Sequence, residues 1–202
     1  ARRELVQKFF PGTPPTGTTD AILAAAGDKR ALFFAVDRTL EIPTNDAVKD
    51  FKKGYSVVKF TGIKSDGSPV TDTGHADTDF FFFRVAESYL AYAEATARLN
   101  GGTTTTQGTA YLNELRDRSG APAFRSFTLR QILDERSREF YFEGQRRTDL
   151  IRYGYFGGDN TYMWSWKGGA PNGRSFDVRR NIFPLPASDL SVNPNLKQNP
   201  GY

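Results

Sequence analysis

Cysteine is missing altogether from these 202 residues, and histidine and methionine occur once each. Without a thiol there is no disulfide framework, no thiolate nucleophile and no cysteine-based zinc centre. With His75 alone, a multi-histidine metal site is excluded and a histidine-centred triad has little to build on. Apolar residues never gather into the run of about 18 that a membrane-spanning helix needs. Residues 1–10 lack the apolar stretch and small-residue cleavage site of a signal peptide. A strong charge of either sign is lacking too. The 27 basic and 23 acidic residues leave +4, too small an excess to imply nucleic acid or an acidic membrane surface.

What is present suffices for a core. Hydrophobic residues make up 38% and aromatics 14%, and the length suits one domain or slightly more. Three stretches differ in character. Residues 1–78 read as an irregular segment with short strands. Gly and Pro break residues 12–19 into a loop, while residues 31–36 and 55–60 are β-branched and aromatic, the composition of strands. Residues 63–74 form a polar loop.

Residues 79–153 read as a helical scaffold. A first helix over 79–99, capped by Asp79 or Thr78, turns Phe82, Ala86, Tyr89, Leu90, Ala93 and Ala97 to one face. Glu94 and Arg98 are spaced for an i, i+4 ion pair, and Asn100-Gly101-Gly102 ends the helix. A second helix over 107–119 faces Leu112 and Leu115 inward. Thr128 and Gln131 make a capping box for a third, which carries Ile132, Leu133, Phe140 and Phe142 inward and runs on through Gly144 to Tyr153. Helix, short linker and helix at this spacing look like a tetratricopeptide-type hairpin, although the repeat signature is not legible.

Residues 154–202 read as an aromatic loop or β-ribbon followed by an extended tail. Residues 162–166 and 175–178 alternate with period two, and Asn172-Gly173 between them is a hairpin signal. Residues 183–186 read as extended and 187–190 as a short helical turn.

Four groups of residues bear on chemistry. On a continuous third helix, Glu135, Glu139, Arg146 and Asp149 fall within about 80° of arc, with Phe142 among them. Paired carboxylates suggest acid–base catalysis, but intercalated arginine on an apolar face favours a buried ion-pair network. The same block has six arginines against five acids, a net +1, so self-pairing outweighs attraction to phosphate. Asp72, His75, Asp77 and Asp79 are oxygen-rich enough for calcium, yet lack the EF-hand pattern, and Asp77 and Asp79 also suit a helix N-terminus. Tyr162, Trp164 and Trp166, on one face of an extended segment, form a candidate platform for sugar rings; the competing reading is packing against the helices.

Several segments together resemble the C-terminal part of the SusD/RagB family. They are Arg84-Val-Ala-Glu87 with Tyr92-Ala-Glu-Ala95, Leu112-Asn113 with Arg116 and Arg118, and the block Glu135-Arg136, Glu139, Glu143-Gly144, Arg146, Asp149-Leu150 and Arg152. Ile182-Phe-Pro-Leu-Pro186 and the closing Asn199-Pro-Gly-Tyr202 complete the set, which falls in the family's order. Arg147-Thr148 departs from it, standing where aromatics are common. The resemblance implies a mainly α, tetratricopeptide-like fold and a surface lipoprotein of the outer membrane. Such a protein captures an oligosaccharide or polysaccharide without bond chemistry, needs no cofactor or metal, and passes it to a TonB-dependent (SusC-like) transporter.

It also implies a lipid anchor on an N-terminal cysteine. This chain has none, so it is expected to be a C-terminal portion partnered by the N-terminal part of the same protein. Two rivals stand beside it. One is a helical scaffold that binds proteins or peptides. The other is a glycosidase using Glu135 and Glu139, although i, i+4 neighbours point the same way whereas a hydrolase flanks its substrate from two sides.

Overall fold

The computed structural model describes residues 1–43, 50, 52–64, 66–72, 74 and 80–202. The chain is mainly helical and forms two compact units, Ala1–Gly144 and Gln145–Tyr202. The divisions expected at residues 78 and 153 do not coincide with these units. The strands and three long helices share the first unit, and the expected third helix beyond Gly144 belongs to the second.

The first unit opens with α1 (Arg3–Val6), which tightens into a 3-10 turn at Gln7–Phe9. The next element, α2 (Thr19–Ala26), was not anticipated. Thr18 caps it by accepting from the Ala21 amide, and Gly27, at φ 59°, ends it in the left-handed conformation. The two expected strands exist but shorten to β1 (Phe33–Phe34) and β2 (Ser56–Val57), paired antiparallel with Phe33 opposite Val57. β1 is short because its flanking amides bond elsewhere, Ala31 to Asp28 and Ala35 to Gly17. Val6, Phe9, Ile22, Phe33 and Tyr55 form a core here with Tyr141. Phe33 stacks on Tyr141 at 5.6 Å, and Phe9 meets Phe33 edge-on at 5.5 Å.

The helical part begins at α3 (Val85–Leu99) rather than at residue 79. The proposed caps Thr78 and Asp79 lie outside the described residues. Arg84 occupies the cap position in extended conformation, and its side chain is drawn away to Glu139 on another helix and to Glu143 in the turn that follows it. Phe82, expected inside, is therefore outside the helix and 78% exposed. The rest of the stripe is as expected: Ala86, Leu90, Ala93 and Ala97 are buried. Glu94 and Arg98 pair at 3.0 Å.

Helix α4 (Thr106–Arg118) follows a short connection and packs on α3. The two helices meet closely at Gly108, where a Cβ would stand 3.2 Å from the Ala93 Cα. Helix α5 (Leu129–Phe140) carries the expected capping box and also packs on α3. Ile132, Leu133 and Phe140 are buried in it.

α5 does not continue to residue 153. Tyr141 turns extended and Phe142 is left-handed at φ 62°. Two interactions from the strand region explain the stop. The Tyr141 ring is drawn into the first core, where its hydroxyl donates to Arg30 O at 2.7 Å. Lys59 Nζ donates to the carbonyls of Glu139 and Tyr141 at 2.9 and 3.1 Å, placing a cation at the helix C-terminus. Phe142 consequently points outward, 63% exposed, not inward. The single face expected to hold Glu135, Glu139, Arg146 and Asp149 does not exist, because these residues lie on two helices in two units.

The second unit holds α6 (Arg146–Arg152), 3-10 turns at Lys167–Gly169 and Val178–Asn181, and α7 (Ala187–Val192). Among the described residues it contains no strand pair, only a bridge between Gly158 and Phe176. The β-ribbon reading of 162–178 therefore gives way to the ordered loop. Asn172-Gly173 makes a turn, but not a hairpin turn.

Candidate functional site

The loop of the second unit is organised by a buried lysine. Lys167 is the single charged residue between 160 and 173 and is 1% exposed. Its Nζ donates to Tyr155 O at 3.1 Å, Asn160 Oδ1 at 2.8 Å and Tyr162 O at 2.6 Å. It also lies 4.7 Å from the Trp164 ring centroid, a cation–π distance. All three acceptors are neutral, and burial pulls the ammonium below its ordinary pKa. One side chain thus ties three points of the loop together. The loop closes on glycine at 173 (φ 78°), where a Cβ would lie 2.7 Å from Trp164 O.

Around this centre the aromatic rings form two stacks. Tyr155 lies over Tyr162 at 4.8 Å and 17°, and Phe156 over Trp164 at 6.3 Å and 20°. Phe176 meets Phe156 edge-on at 5.1 Å. The three expected platform residues share the loop but not a plane. Tyr162 is buried, with its hydroxyl hydrogen-bonded by Arg146, and its ring is tilted 61° to that of Trp164. Trp164 and Trp166 are both half-buried. Trp166 does not continue an extended strand, since its φ is 68° and its amide donates to Ala170 O at 3.0 Å. The period-two expectation of one shared face fails for this reason. Sequence reasoning missed Lys167, Tyr155 and Phe156. The available signal was an isolated lysine set among aromatics.

The paired acids of α5 sit in the first unit as an ion network. Glu135 is wholly buried and meets Arg30, Arg116 and Arg138 at 2.8, 2.8 and 2.9 Å. Glu139 meets Arg30 at 3.1 Å and Arg118 at 2.7 Å, and is also paired with Arg84. Burial alone would raise the Glu139 pKa. Hydrogen bonds from Arg118 and Arg84 overcome it and hold the carboxyl at about 2. Glu143 is likewise lowered against its burial by Arg84 and Lys59.

A general acid needs a carboxyl raised toward neutrality, and Glu139 is shifted the other way. The arrangement is structural and joins the strand region to three helices. A groove of about 710 Å³ borders it. Of the calcium candidates, His75, Asp77 and Asp79 lie outside the described residues. Among those described, no group of acids and histidines is placed to hold a metal.

Comparison with known proteins places this geometry in context. The model of the SusD family matches residues 40–202. The starch-binding protein SusD of Bacteroides thetaiotaomicron is 42% identical over 186 residues, which cover 91% of this chain and 33% of that protein. The SusD-like protein P25 of Formosa agariphila is 32% identical over 183 residues, covering 82% of this chain and 32% of that one. The chain thus spans about a third of the length of either relative.

Among solved structures, a SusD superfamily protein from Parabacteroides distasonis superposes with a TM-score of 0.60 at 26% identity, covering 87% of this chain and 39% of its own. The surface glycan-binding protein A of Bacteroides uniformis superposes at 0.51 with 26% identity, over 69% of this chain and 36% of its own.

Proposed function

The chain belongs to the SusD family, and on that premise we propose that it serves in non-catalytic capture of an oligosaccharide or polysaccharide at the cell surface. The observation that carries this reading is the 42% identity to a protein that binds starch, extending over 91% of this chain. The aromatic loop supplies chemistry that suits it. Trp164 and Trp166 keep part of their ring surface open, and an indole face offers the flat apolar area that the C–H side of a pyranose packs on. Tyr162, held by Tyr155 and Arg146, meets Trp164 edge-on at 6.2 Å.

The captured glycan passes, in this proposal, to a TonB-dependent, SusC-like transporter in the outer membrane. The anchor is a lipidated cysteine, a residue absent from this sequence. Phe80, Phe81, Phe82 and Phe83 are all exposed, and a contiguous exposed apolar row suits a protein contact. Either the transporter or further residues of a full-length SusD-family protein suit it.

The absence of bond chemistry fits the arginine-saturated setting of Glu135 and Glu139, the latter held below the range of a general acid. Affinity electrophoresis in gels containing starch and other polysaccharides tests the proposal, with reducing-end release measured alongside. Retardation without release supports it. No retardation by any polysaccharide, or steady release of reducing ends, overturns it.

A further inference from the structure

The second unit has eight Lys and Arg against four Asp and no Glu. Its excess of four equals the formal charge of the whole chain, so the first unit is formally neutral. Much of that excess faces one groove of about 680 Å³, lined by Arg147, Arg174 and Arg180 together with Phe156, Phe176 and Phe183. Among the described residues no Asp or Glu lines it.

The acids closest in sequence are occupied locally. Asp177 accepts from the Arg179 amide at 2.8 Å, and Asp159 from the Ser175 hydroxyl at 3.3 Å. The Arg147 guanidinium lies between two rings, 4.4 Å from the Phe156 centroid and 4.2 Å from that of Phe183. Its Nη2 donates to the carbonyls of Arg180 and Asn181 at 2.7 and 3.3 Å. Arg174 spends only Nε, on Gly168 O at 2.7 Å, and the Arg180 side chain makes no ion pair or hydrogen bond among the described residues.

These features distinguish the groove from the one in the first unit, where Glu139 and Glu143 meet the cations. Here three guanidinium groups are positioned with no Asp or Glu in the groove lining, and aromatic rings stand beside them. A guanidinium fork matches the paired oxygens of a carboxylate or sulfate, and the adjacent ring faces match the C–H surface of a sugar.

We infer that this groove binds an anionic glycan, through a uronate carboxylate or a sulfate ester held by Arg174 and Arg180 and a pyranose ring against Phe183. Neither Trp164 nor Trp166 lines this groove, although Phe156, which does, stacks on Trp164. The inference rests on the carbohydrate-binding reading and narrows its ligand class.

Calorimetric titration of the protein tests it with four probes: maltoheptaose, an oligogalacturonate, a chondroitin sulfate oligosaccharide of similar length, and polyglutamate. At least one anionic sugar is expected to bind tenfold or more tightly than maltoheptaose, with affinity falling as salt rises. Which one does identifies the anion. In the R174Q/R180Q variant, whose changes are at exposed positions, that advantage disappears while tryptophan emission and maltoheptaose binding stay as they were.

Three results would overturn the inference alone: equal affinity for neutral and anionic sugars, an advantage that survives R174Q/R180Q, or equally tight binding of polyglutamate. Failure of every sugar, neutral ones included, would remove the carbohydrate reading with it.

Discussion

Replacing Lys167 with methionine probes the organisation of the aromatic loop directly. Methionine keeps the length and apolar stem of the side chain but has no donor. The carbonyls of Tyr155 and Tyr162 and the amide oxygen of Asn160 each lose a partner held at 2.6 to 3.1 Å. An acceptor orphaned in a buried site costs roughly 1–3 kcal/mol; Asn160 Oδ1 keeps the Tyr162 amide, so the two orphaned carbonyls give about 4 kcal/mol at the midpoint. Against this, the variant no longer buries an ammonium group that lacks an anionic partner, a penalty of several kcal/mol.

The net effect is a destabilisation of about 1 kcal/mol, about 4–8 °C in midpoint for a unit this small. The probe is already in place, because the two tryptophans of the chain, Trp164 and Trp166, both belong to this loop. Thermal unfolding of wild type and K167M, followed by tryptophan emission, is the assay. Lys167→Met is expected to lower the midpoint and shift native emission to the red as the indoles gain water. An unchanged midpoint and unchanged emission would refute the idea that this lysine holds the loop.

Other consequences follow from the ion network and the helix pair. Glu139 has a folded pKa of about 2 against an ordinary 4.5. Its contribution is complete above about pH 4.5 and is lost as the pH falls toward 2. By linkage the loss is about 3 kcal/mol, and urea midpoints measured between pH 6 and pH 2 should trace it; midpoints that stay level would contradict the assignment. Glu135→Gln removes the charge that Arg30, Arg116 and Arg138 share and is expected to cost about 3–5 kcal/mol. A urea titration showing less than about 1 kcal/mol of change would count against a buried network. Gly108→Leu drives a side chain into Ala93 at the α3–α4 contact, with an expected cost of about 1–3 kcal/mol for overpacking, read by helical circular dichroism on heating.

Signals that are local in sequence translated well into structure. Thr128 and Gln131 cap α5, Glu94 pairs with Arg98, and Leu112 and Leu115 face inward, because each depends only on helix geometry. Expectations failed where a residue distant in sequence intervened. The end of α5 is set by Lys59, which takes carbonyls some 80 residues further on. The start of α3 is shifted because Arg84 serves Glu139 on α5 and Glu143 just beyond its end. Phe82 and Phe142 were assigned to the interior by extending helical periodicity past those two points.

The candidate site shows the same division. Its aromatic richness was plain, but alternation suggested one flat face. Lys167 instead gathers the carbonyls of Tyr155 and Tyr162, and Trp166 lies in the left-handed region. A lysine whose partners are main-chain oxygens leaves no charge pattern to find. The Glu135–Glu139 pair was recognised as structural from its intercalated arginine, and Arg116 and Arg138 at Glu135 accord with that reading. The arginine predicted to mediate it, Arg146, lies on another helix.

Calorimetric titration of a neutral polysaccharide panel into wild-type protein and the Trp164→Ala variant tests the central claim most directly. Glycan capture through the aromatic loop predicts that wild type binds at least one member and that W164A binds it tenfold or more weakly, with its fold intact by circular dichroism. Undiminished binding by W164A would contradict the placement of the site, and no binding by wild type to any member would contradict the function.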